Sequence, residues 1–371
     1  STDVSLYAGE FERSLDTRIA GHRIRVPTLG VHTVAAGGGS ILHFDGERMH
    51  AGPASAGSLP GPASYRRGGP LTVTDANLLL GRLQADFFPA VFGPHADQPL
   101  DEMAVQHAFA QQASALNEVL NLDYSPEQLA AGYLEIAVEH MADAIRHITQ
   151  ARGVNPSDFT LVGFGGAGGQ HACAVADRLG IPQVLISPFA SVLSAYGIGL
   201  AERREIRQTA MEQPYSDVFR TPVSLAESND GEIRRALLRY AGADSVLAIP
   251  LGEPEAMRTA FHAEHRARFG FSDPGRELVC VALEQEIISG GGEPQAHFAL
   301  SDLPAVPIAH RNVYFSGDRR DVAVFRREQL CRGQTLTGPV LVVEAGSTLV
   351  VEPGWDVTLT ARGDLLLSAR H

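Results

Sequence analysis

Residues 159–170 have the sequence FTLVGFGGAGGQ. The apolar run 159–164 predicts a strand, the glycines after it predict a tight loop, and residues 170–179 continue as a helix. Glycine lets the backbone approach a phosphate, a ribose or a base where a Cβ would collide, and the N–H groups of a helix start favour anionic or polar groups. The segment predicts an α/β domain with a nucleotide-binding loop or, alternatively, a tight strand-to-helix turn without a ligand.

The dinucleotide-binding template G-x-G-x-x-G fits this loop badly. Gly163, Gly165 and Gly168 have its spacing, but the next predicted strand, 183–186, ends in Ser187-Pro188 with no acidic residue. The sequence also contains neither G-x-x-x-x-G-K-S/T nor G-x-S-x-G. A P-loop and a nucleophile elbow are therefore not signalled.

Composition and charge narrow the class of protein. The 371 residues are 44% hydrophobic and 20% charged, as in globular domains, and the length predicts two or three domains. Thirty Lys and Arg against 43 Asp and Glu give a net charge of -13, which disfavours nucleic acid as a partner. No apolar run is long enough for a membrane span. Three cysteines without C-x-x-C spacing favour a reducing cytoplasm.

Helices and strands are predicted on both sides of the glycine loop. Apolar residues recur every three or four positions over 102–120 and over 125–153, where Ser125 is expected to cap the second helix. Residues 52–70 are rich in Pro, Gly and Ser, which predicts an irregular loop or a linker. Residues 255–269 predict a helix, and short apolar runs over 313–367 predict strands.

Several polar or reactive side chains have two interpretations each. Asp75 is either an N-cap or a ligand of a Mg²⁺-bound water, and the cap is the default. Cys173 is a thiol activated by the helix start or, as its apolar neighbours favour, a packing residue. His262 and His265 are metal ligands or, as their charged neighbours favour, part of a solvated helix face.

Several longer motifs follow one another along the chain. They are 33–40 (TVAAGGGS), 61–63 (GPA), 72–83 (TVTDANLLLGRL), 164–173 (FGGAGGQHAC), 194–201 (SAYGIGLA) and 353–355 (PGW). Together they resemble the hydantoinase A/5-oxoprolinase family over essentially the whole chain. Residues 170–173 (QHAC) look more like its ATP-dependent 5-oxoprolinases than like its N-methylhydantoin or acetone carboxylase branches.

The resemblance implies an actin-like (ribonuclease H-like) α/β ATPase domain, incomplete at its N-terminus, over residues 1–205. A β-rich α+β C-terminal domain is expected over 206–371. In such folds ATP lies between two related domains. The chain would begin inside the second phosphate-binding hairpin and would be the C-terminal piece of a longer hydantoinase A region.

The resemblance also assigns site residues. It matches Asp3 to the tail of the second phosphate-binding hairpin, where Asp3 is the expected catalytic residue; Asp3 and Asp75 are the candidates for a Mg²⁺-linked role, with Asp75 as the metal residue. The implied nucleotide-binding residues are Ser1, Thr2, Gly165, Gly166, Gly168, Gly169 and Gln170. Gly37, Gly38, Gly39 and Ser40 are the implied phosphate or substrate loop. Ala54 and Ser64 stand where the family usually has Glu and Cys, so a carboxylate or thiol role is not expected there.

The implied activity is ATP-dependent hydrolysis of a cyclic amide, 5-oxo-L-proline to L-glutamate with release of ADP and phosphate. The alternatives are an N-methylhydantoinase, another lactam- or ketone-activating member, or a non-catalytic fragment. The implied cofactors are ATP, Mg²⁺ and K⁺. The implied partners are a lactam, the upstream part of the same polypeptide, a hydantoinase B-type domain or subunit, and further copies in an oligomer, but neither nucleic acid nor a membrane.

Overall fold

The computed structural model describes residues 1–9, 11, 13–14, 17–19, 22–24, 28–220, 231–292, 301 and 303–370. The α-helices are α1 (Val73–Leu79), α2 (Glu102–Leu120), α3 (Pro126–Arg152), α4 (Gly168–Leu179), α5 (Leu193–Leu200), α6 (Tyr215–Val218) and α7 (Pro254–Phe269). The strands are β1 (Thr2–Ser5), β2 (Arg13–Ser14), β3 (Thr17–Ile19), β4 (His22–Ile24), β5 (Thr28–Leu29), β6 (Val31–Val34), β7 (Ser40–Phe44), β8 (Met49–Ser55), β9 (Thr160–Gly163), β10 (Gln183–Ile186), β11 (Glu202–Pro214), β12 (Glu232–Tyr240), β13 (Leu247–Pro250), β14 (Leu278–Gly290), β15 (Ala309–Phe315), β16 (Asp318–Arg326), β17 (Thr335–Thr337), β18 (Val340–Glu344), β19 (Ser347–Val351), β20 (Trp355–Leu359) and β21 (Leu365–Ala369).

The chain forms two compact units. The first comprises residues 1–150, 154–193 and 296–371, and the second comprises 151–153 and 194–295. These bounds differ from the predicted division at residue 205. The difference arises because strands near the C-terminus pair with strands of the glycine-loop region, so that the chain leaves the first unit and returns to it.

The glycine loop lies at one end of a five-stranded sheet with the order β17-β20-β21-β10-β9. β9 and β10 are parallel and are connected through α4, which confirms the predicted strand, loop and helix. α4 buries Ala172, Cys173 and Ala176 in a core that also contains Trp355. Parallel strands need such a crossover connection, and the small residues of α4 allow the helix to pack closely.

The first unit also contains a helical core. The predicted apolar stripe of α2 is Val105, Phe109, Ala113, Leu116 and Leu120; the first four are buried, and Leu120 at the end of the helix is exposed. The predicted cap of α3 is confirmed: the Gln128 N–H donates to Ser125 Oγ at 3.2 Å, and the Ser125 N–H donates to Gln128 Oε1 at 2.8 Å. These helices could be predicted because the spacing of their apolar residues and their capping residues indicate the same helix bounds.

The remaining sheets of the first unit are small. β1 pairs with β6, β7 pairs with β8, and a four-stranded sheet has the order β15-β16-β18-β19. The prediction of irregular structure from residue 52 is wrong at its start, because β8 continues to Ser55 in pairing with β7. Further along the same segment, Ala63–Tyr65 form a 3₁₀-helix.

The second unit is a four-stranded antiparallel sheet, β11-β14-β12-β13, packed with α7. Met257, Phe261 and His265 recur every four residues and are buried. The prediction of a solvated face is therefore wrong for His265, whose Nδ1 lies 2.8 Å from the Phe271 carbonyl oxygen. The predicted helix itself is confirmed.

No helix within the described ranges combines the length and apolar character needed to cross a bilayer.

Candidate functional site

The first glycine loop joins β6 to β7, and hydrogen bonds with Ser40 and Thr74 fix its backbone. The Gly37 N–H donates to Ser40 Oγ at 3.0 Å, and the Ser40 N–H donates to the Gly37 carbonyl at 3.0 Å. The Gly38 carbonyl accepts from the N–H and the hydroxyl of Thr74 at 2.9 and 3.0 Å. A Cβ on Gly38 would lie 2.9 Å from Thr74 Oγ1, so this approach to α1 requires glycine.

The second glycine loop joins β9 to α4. Gly165 has φ +86°, and its N–H donates to the Ala190 carbonyl at 2.7 Å. Gly166 faces the turn between β18 and β19, where its Cβ would lie 3.2 Å from the Gly346 carbonyl oxygen. Gly169 packs against β19, with a Cβ position 3.1 Å from the Thr348 carbonyl oxygen. The structure therefore gives Gly169 a packing role.

The two loops face a common cavity of about 260 Å³. From the predicted site residues, Gly38, Gly39, Gly166 and Gln170 line it. The other lining residues are Gly57, Pro62, Tyr65, Thr74, Leu83, Phe88, Ala167 and Gly346. The start of α4 adds the partial positive charge of a helix N-terminus to this region, which favours an anionic group.

The first three residues lie beside the first glycine loop. Thr2 Oγ1 donates to the Ala36 carbonyl at 2.7 Å, and a Cβ on Gly37 would lie 3.1 Å from the Ser1 nitrogen. Asp3 is exposed on β1, and its Oδ1 accepts from Thr33 Oγ1 at 2.6 Å. Ser1, Thr2 and Asp3 are thus brought next to the loop, although they are not among the residues that line the cavity.

Asp75 is fully buried and acts as an internal anchor. Its Oδ2 accepts from the N–H groups of Ala63 and Thr72 and from Thr72 Oγ1, at 2.8 to 3.0 Å, and its Oδ1 accepts from the Ser64 N–H at 2.9 Å. Thr72, not Asp75, is the N-cap of α1, and Asp75 is its capping-box partner three residues on. Burial raises the pKa of Asp75 above its ordinary value. The contacts of both oxygens fit this structural role and leave none directed at a metal.

A cluster of mostly buried polar side chains lies near the start of α4, the helix that follows the second glycine loop. His171 Nε2 lies 3.4 Å from Asn77 Nδ2, and burial lowers the pKa of His171 to about 4. Arg82 Nη1 lies 2.5 Å from Glu352 Oε1, and burial raises the pKa of Glu352. Burial likewise raises the pKa of Cys173, which agrees with the packing interpretation of that thiol.

Sequence reasoning missed the aromatic residues that line the cavity. Tyr65 and Phe88 had no assigned role, although the motifs 61–63 and 72–83 include the lining residues Pro62, Thr74 and Leu83. Gly346 offered no local signal, because its place at the cavity depends on the pairing of β18 with β19.

Comparisons with known proteins identify the family of the chain. The family described as Hydantoinase/oxoprolinase matches residues 1–207. The chain belongs to the hydantoinase/oxoprolinase family. The Hydantoinase/oxoprolinase C-terminal domain matches residues 301–365, so both matched regions of this family member contribute to the first unit.

Three relatives of this hydantoinase/oxoprolinase chain are informative. 5-Oxoprolinase 1 of Arabidopsis thaliana is 37% identical over 98% of this chain and 31% of its own length. 5-Oxoprolinase of Saccharomyces cerevisiae is 36% identical over 97% of this chain and 30% of its own length. The solved ATP-dependent caprolactamase of Pseudomonas jessenii has a TM-score of 0.78 and 31% identity, over 97% of this chain and 56% of that one.

The predicted α/β fold and family resemblance are confirmed by these matches. The chain spans about a third of the length of the curated 5-oxoprolinases that it matches.

Proposed function

We propose that this chain supplies one side of a site that uses ATP to activate a cyclic amide, with 5-oxo-L-proline as the substrate. The observation that carries the proposal is the meeting of the two glycine loops at one cavity, next to the start of α4. The names of the relatives, 5-oxoprolinase and ATP-dependent caprolactamase, supply the class of reaction.

The chemistry addresses an amide that water alone opens slowly. The lactam oxygen attacks the γ-phosphorus of ATP, the bond to the β-phosphate oxygen breaks, and ADP leaves. The resulting imidate-like phosphate is a better electrophile, and hydrolysis then opens the ring and gives glutamate and phosphate. Positioning and charge neutralisation provide most of the catalysis in such a transfer.

Each part of the site has a proposed role in that step. The loop of Gly165, Gly166, Gly168, Gly169 and Gln170 holds the nucleotide, with Gly169 acting through its packing on β19. The loop of Gly37 to Ser40 lies against the reacting phosphate or the lactam. Ser1, Thr2 and Asp3 complete the phosphate-binding side, because they lie beside the first glycine loop.

We expect Mg²⁺ to bind together with the nucleotide. Within the described part of the chain, no group of three or more His, Cys, Asp or Glu side chains could hold a metal ion. A nucleotide-bound Mg²⁺ needs only one or two carboxylates because phosphates and waters supply its other ligands. We assign Asp3, an exposed carboxylate, to this role in place of Asp75; when bound, the ion would neutralise phosphate charge. No step of the proposal depends on the implied K⁺.

The proposal extends to the assembled protein. We propose that the upstream part of the polypeptide closes the ATP site and that a hydantoinase B-type domain or subunit completes ring opening, in an oligomer located in the cytoplasm. The three free cysteines of the described chain suit a reducing compartment.

A substrate panel tests the function. The complete polypeptide, together with its hydantoinase B-type partner, is incubated with ATP and with 5-oxoproline, N-methylhydantoin or caprolactam, and ADP release is measured. We expect 5-oxoproline to stimulate release most. Equal stimulation by N-methylhydantoin contradicts the assigned substrate, and no stimulation by any cyclic amide favours a non-catalytic role.

A further inference from the structure

The residues that line the cavity are of two chemical kinds. The glycine loops, Thr74 and Gln170 supply its polar lining, and Pro62, Tyr65, Leu83 and Phe88 supply its apolar lining, here called the apolar wall. Glycine backbone and hydroxyl groups suit phosphate and amide oxygens. Aromatic and aliphatic side chains suit carbon-rich surfaces, and ligand sites commonly combine such a lining with a few polar groups.

The apolar wall is firmly built. The 3₁₀-helix that carries Tyr65 is tied to α1 through Asp75, which accepts from the Ala63 and Ser64 N–H groups. The ring centroids of Tyr65 and Phe92 lie 4.3 Å apart, and the ring of Phe92 stacks with that of Phe88 at a centroid distance of 5.8 Å. These contacts position Tyr65 and Phe88 through their own packing, and such preorganisation lowers the entropic cost of binding.

The size and charge of the cavity limit its occupant. Its volume of about 260 Å³ is below the ~300 to 1,000 Å³ that drug-sized ligands occupy, so the lined part is large enough for a small ring. No charged side chain occurs among the described residues that line it. An uncharged, apolar part of a ligand therefore suits Pro62, Tyr65, Leu83 and Phe88, whereas the start of α4 suits an anionic group.

We propose that the apolar wall binds the ring carbons of the lactam and that Tyr65 and Phe88 set the accepted ring size. The inference rests on the proposed function and specifies where its substrate lies. In this pose the ring methylenes lie against Tyr65, Leu83 and Phe88, and the amide oxygen faces the first glycine loop. The phosphoryl donor then approaches from the second loop, and only its reacting end enters the cavity.

Truncation of Phe88 tests the inference in the complete polypeptide with its hydantoinase B-type partner. For Phe88→Ala we expect the KM for 5-oxoproline to rise at least about tenfold, because apolar contact to the ring is lost, while the KM for ATP is unchanged. The ratio of kcat/KM for caprolactam to that for 5-oxoproline should rise, since the enlarged wall admits a larger ring. Phe88→Leu, which retains apolar volume, should lie between wild type and Phe88→Ala.

The control is Tyr124→Ala, which truncates an exposed aromatic side chain between α2 and α3. It should change neither KM. Equal changes in the KM values for ATP and lactam, or no change in the lactam KM of folded Phe88→Ala and Phe88→Leu, would overturn the inference.

A binding measurement separates this inference from the proposed reaction. Ligand-observed NMR of 2-pyrrolidinone and caprolactam with the same proteins needs no ATP. Binding by wild type that Phe88→Ala weakens supports the inference even if ADP release does not respond to lactam, an outcome that contradicts the proposed function alone. Binding that is equal in wild type and Phe88→Ala overturns the inference alone.

Discussion

His171 lies buried near the start of α4, where its only described polar contact is with Asn77 at 3.4 Å. Protonation would add a positive charge to a buried site that also contains the charge of Arg82. The neutral form of His171 is therefore part of the folded state.

His171 should make the protein sensitive to acid. The pKa of His171 is about 4 in the folded state and 6.5 when unperturbed, so between these values the unfolded state binds more protons. Its stabilising contribution is complete above pH 6.5 and is lost as the pH falls toward 4. We expect wild type to lose about 2 kcal/mol more than His171→Asn between pH 7.5 and 5. Urea unfolding at both pH values measures this, and equal losses would contradict it.

The role of Asp75 could be predicted only in part from the sequence. Its place before an apolar run predicted a helix cap or a metal ligand, and both predictions rest on the same carboxylate chemistry. The structure identifies a capping-box role, since Asp75 accepts from residues 63 and 64 as well as from Thr72. Contacts eleven and twelve residues away depend on how the proline-rich loop folds back, which no local pattern encodes.

At the scale of the element, α4 contains two adjacent glycines with different surroundings. A Cβ on Gly169 would lie 3.1 Å from the Thr348 carbonyl oxygen and 3.3 Å from Leu349 Cα, whereas the nearest atom to a Cβ on Gly168 is at 3.9 Å. Both positions begin the same helix, so helix propensity affects them similarly.

Alanine substitutions at these positions should therefore differ. Gly169→Ala must displace β19 or α4, and we expect a loss of about 1 to 3 kcal/mol in the free energy of unfolding. Gly168→Ala should change it by less than about 1 kcal/mol. Urea unfolding followed by the fluorescence of Trp355, the only tryptophan of the sequence, measures both variants. Equal losses would mean that helix geometry, not packing on β19, requires glycine at 169.

Elements with a clear period were predicted and confirmed. α2, α3 and α7 have apolar stripes, and β9, α4 and β10 follow from the glycine loop and its flanks. The long strands β11 and β14 of the second unit were not predicted. β11 is mostly exposed and charged, from Glu202 to Glu212, so it lacks the apolar alternation that indicates a strand. Its conformation comes from pairing with β14.

At the scale of the whole molecule, the first unit is assembled from distant parts of the chain. β17, β20 and β21 complete the sheet begun by β10 and β9, and α4 packs on β19. The strands near the C-terminus were predicted from their apolar runs, but as part of a separate domain. Sequence patterns specify which face of a strand is buried, and they do not specify its partner when more than 150 residues intervene.

The ion pair of Arg82 and Glu352 links these distant parts, because its members are 270 residues apart in sequence and mostly buried. Arg82→Met retains apolar contact with Phe315, over whose ring the guanidinium lies at 4.7 Å, but leaves a buried carboxylate without its cation. We expect a loss of about 3 to 5 kcal/mol in the free energy of unfolding.

The double variant Arg82→Met/Glu352→Met should recover most of that loss, since removing both charges costs less than removing one. Without Arg82, the folded-state pKa of Glu352 rises further above its unfolded value, so the folded state binds more protons. The loss of stability in Arg82→Met should therefore grow as the pH rises.

Arg220→Met, which breaks an exposed ion pair with Asp217, is the control and should cost no more than about 1 kcal/mol. Urea unfolding at pH 6 and 8, followed by Trp355 fluorescence for the Arg82 and Glu352 variants and by circular dichroism for all, provides the measurement. Additive losses in the double variant would mean that the two side chains stabilise the sheet independently, and the pair would then not be what joins the C-terminal strands to α1.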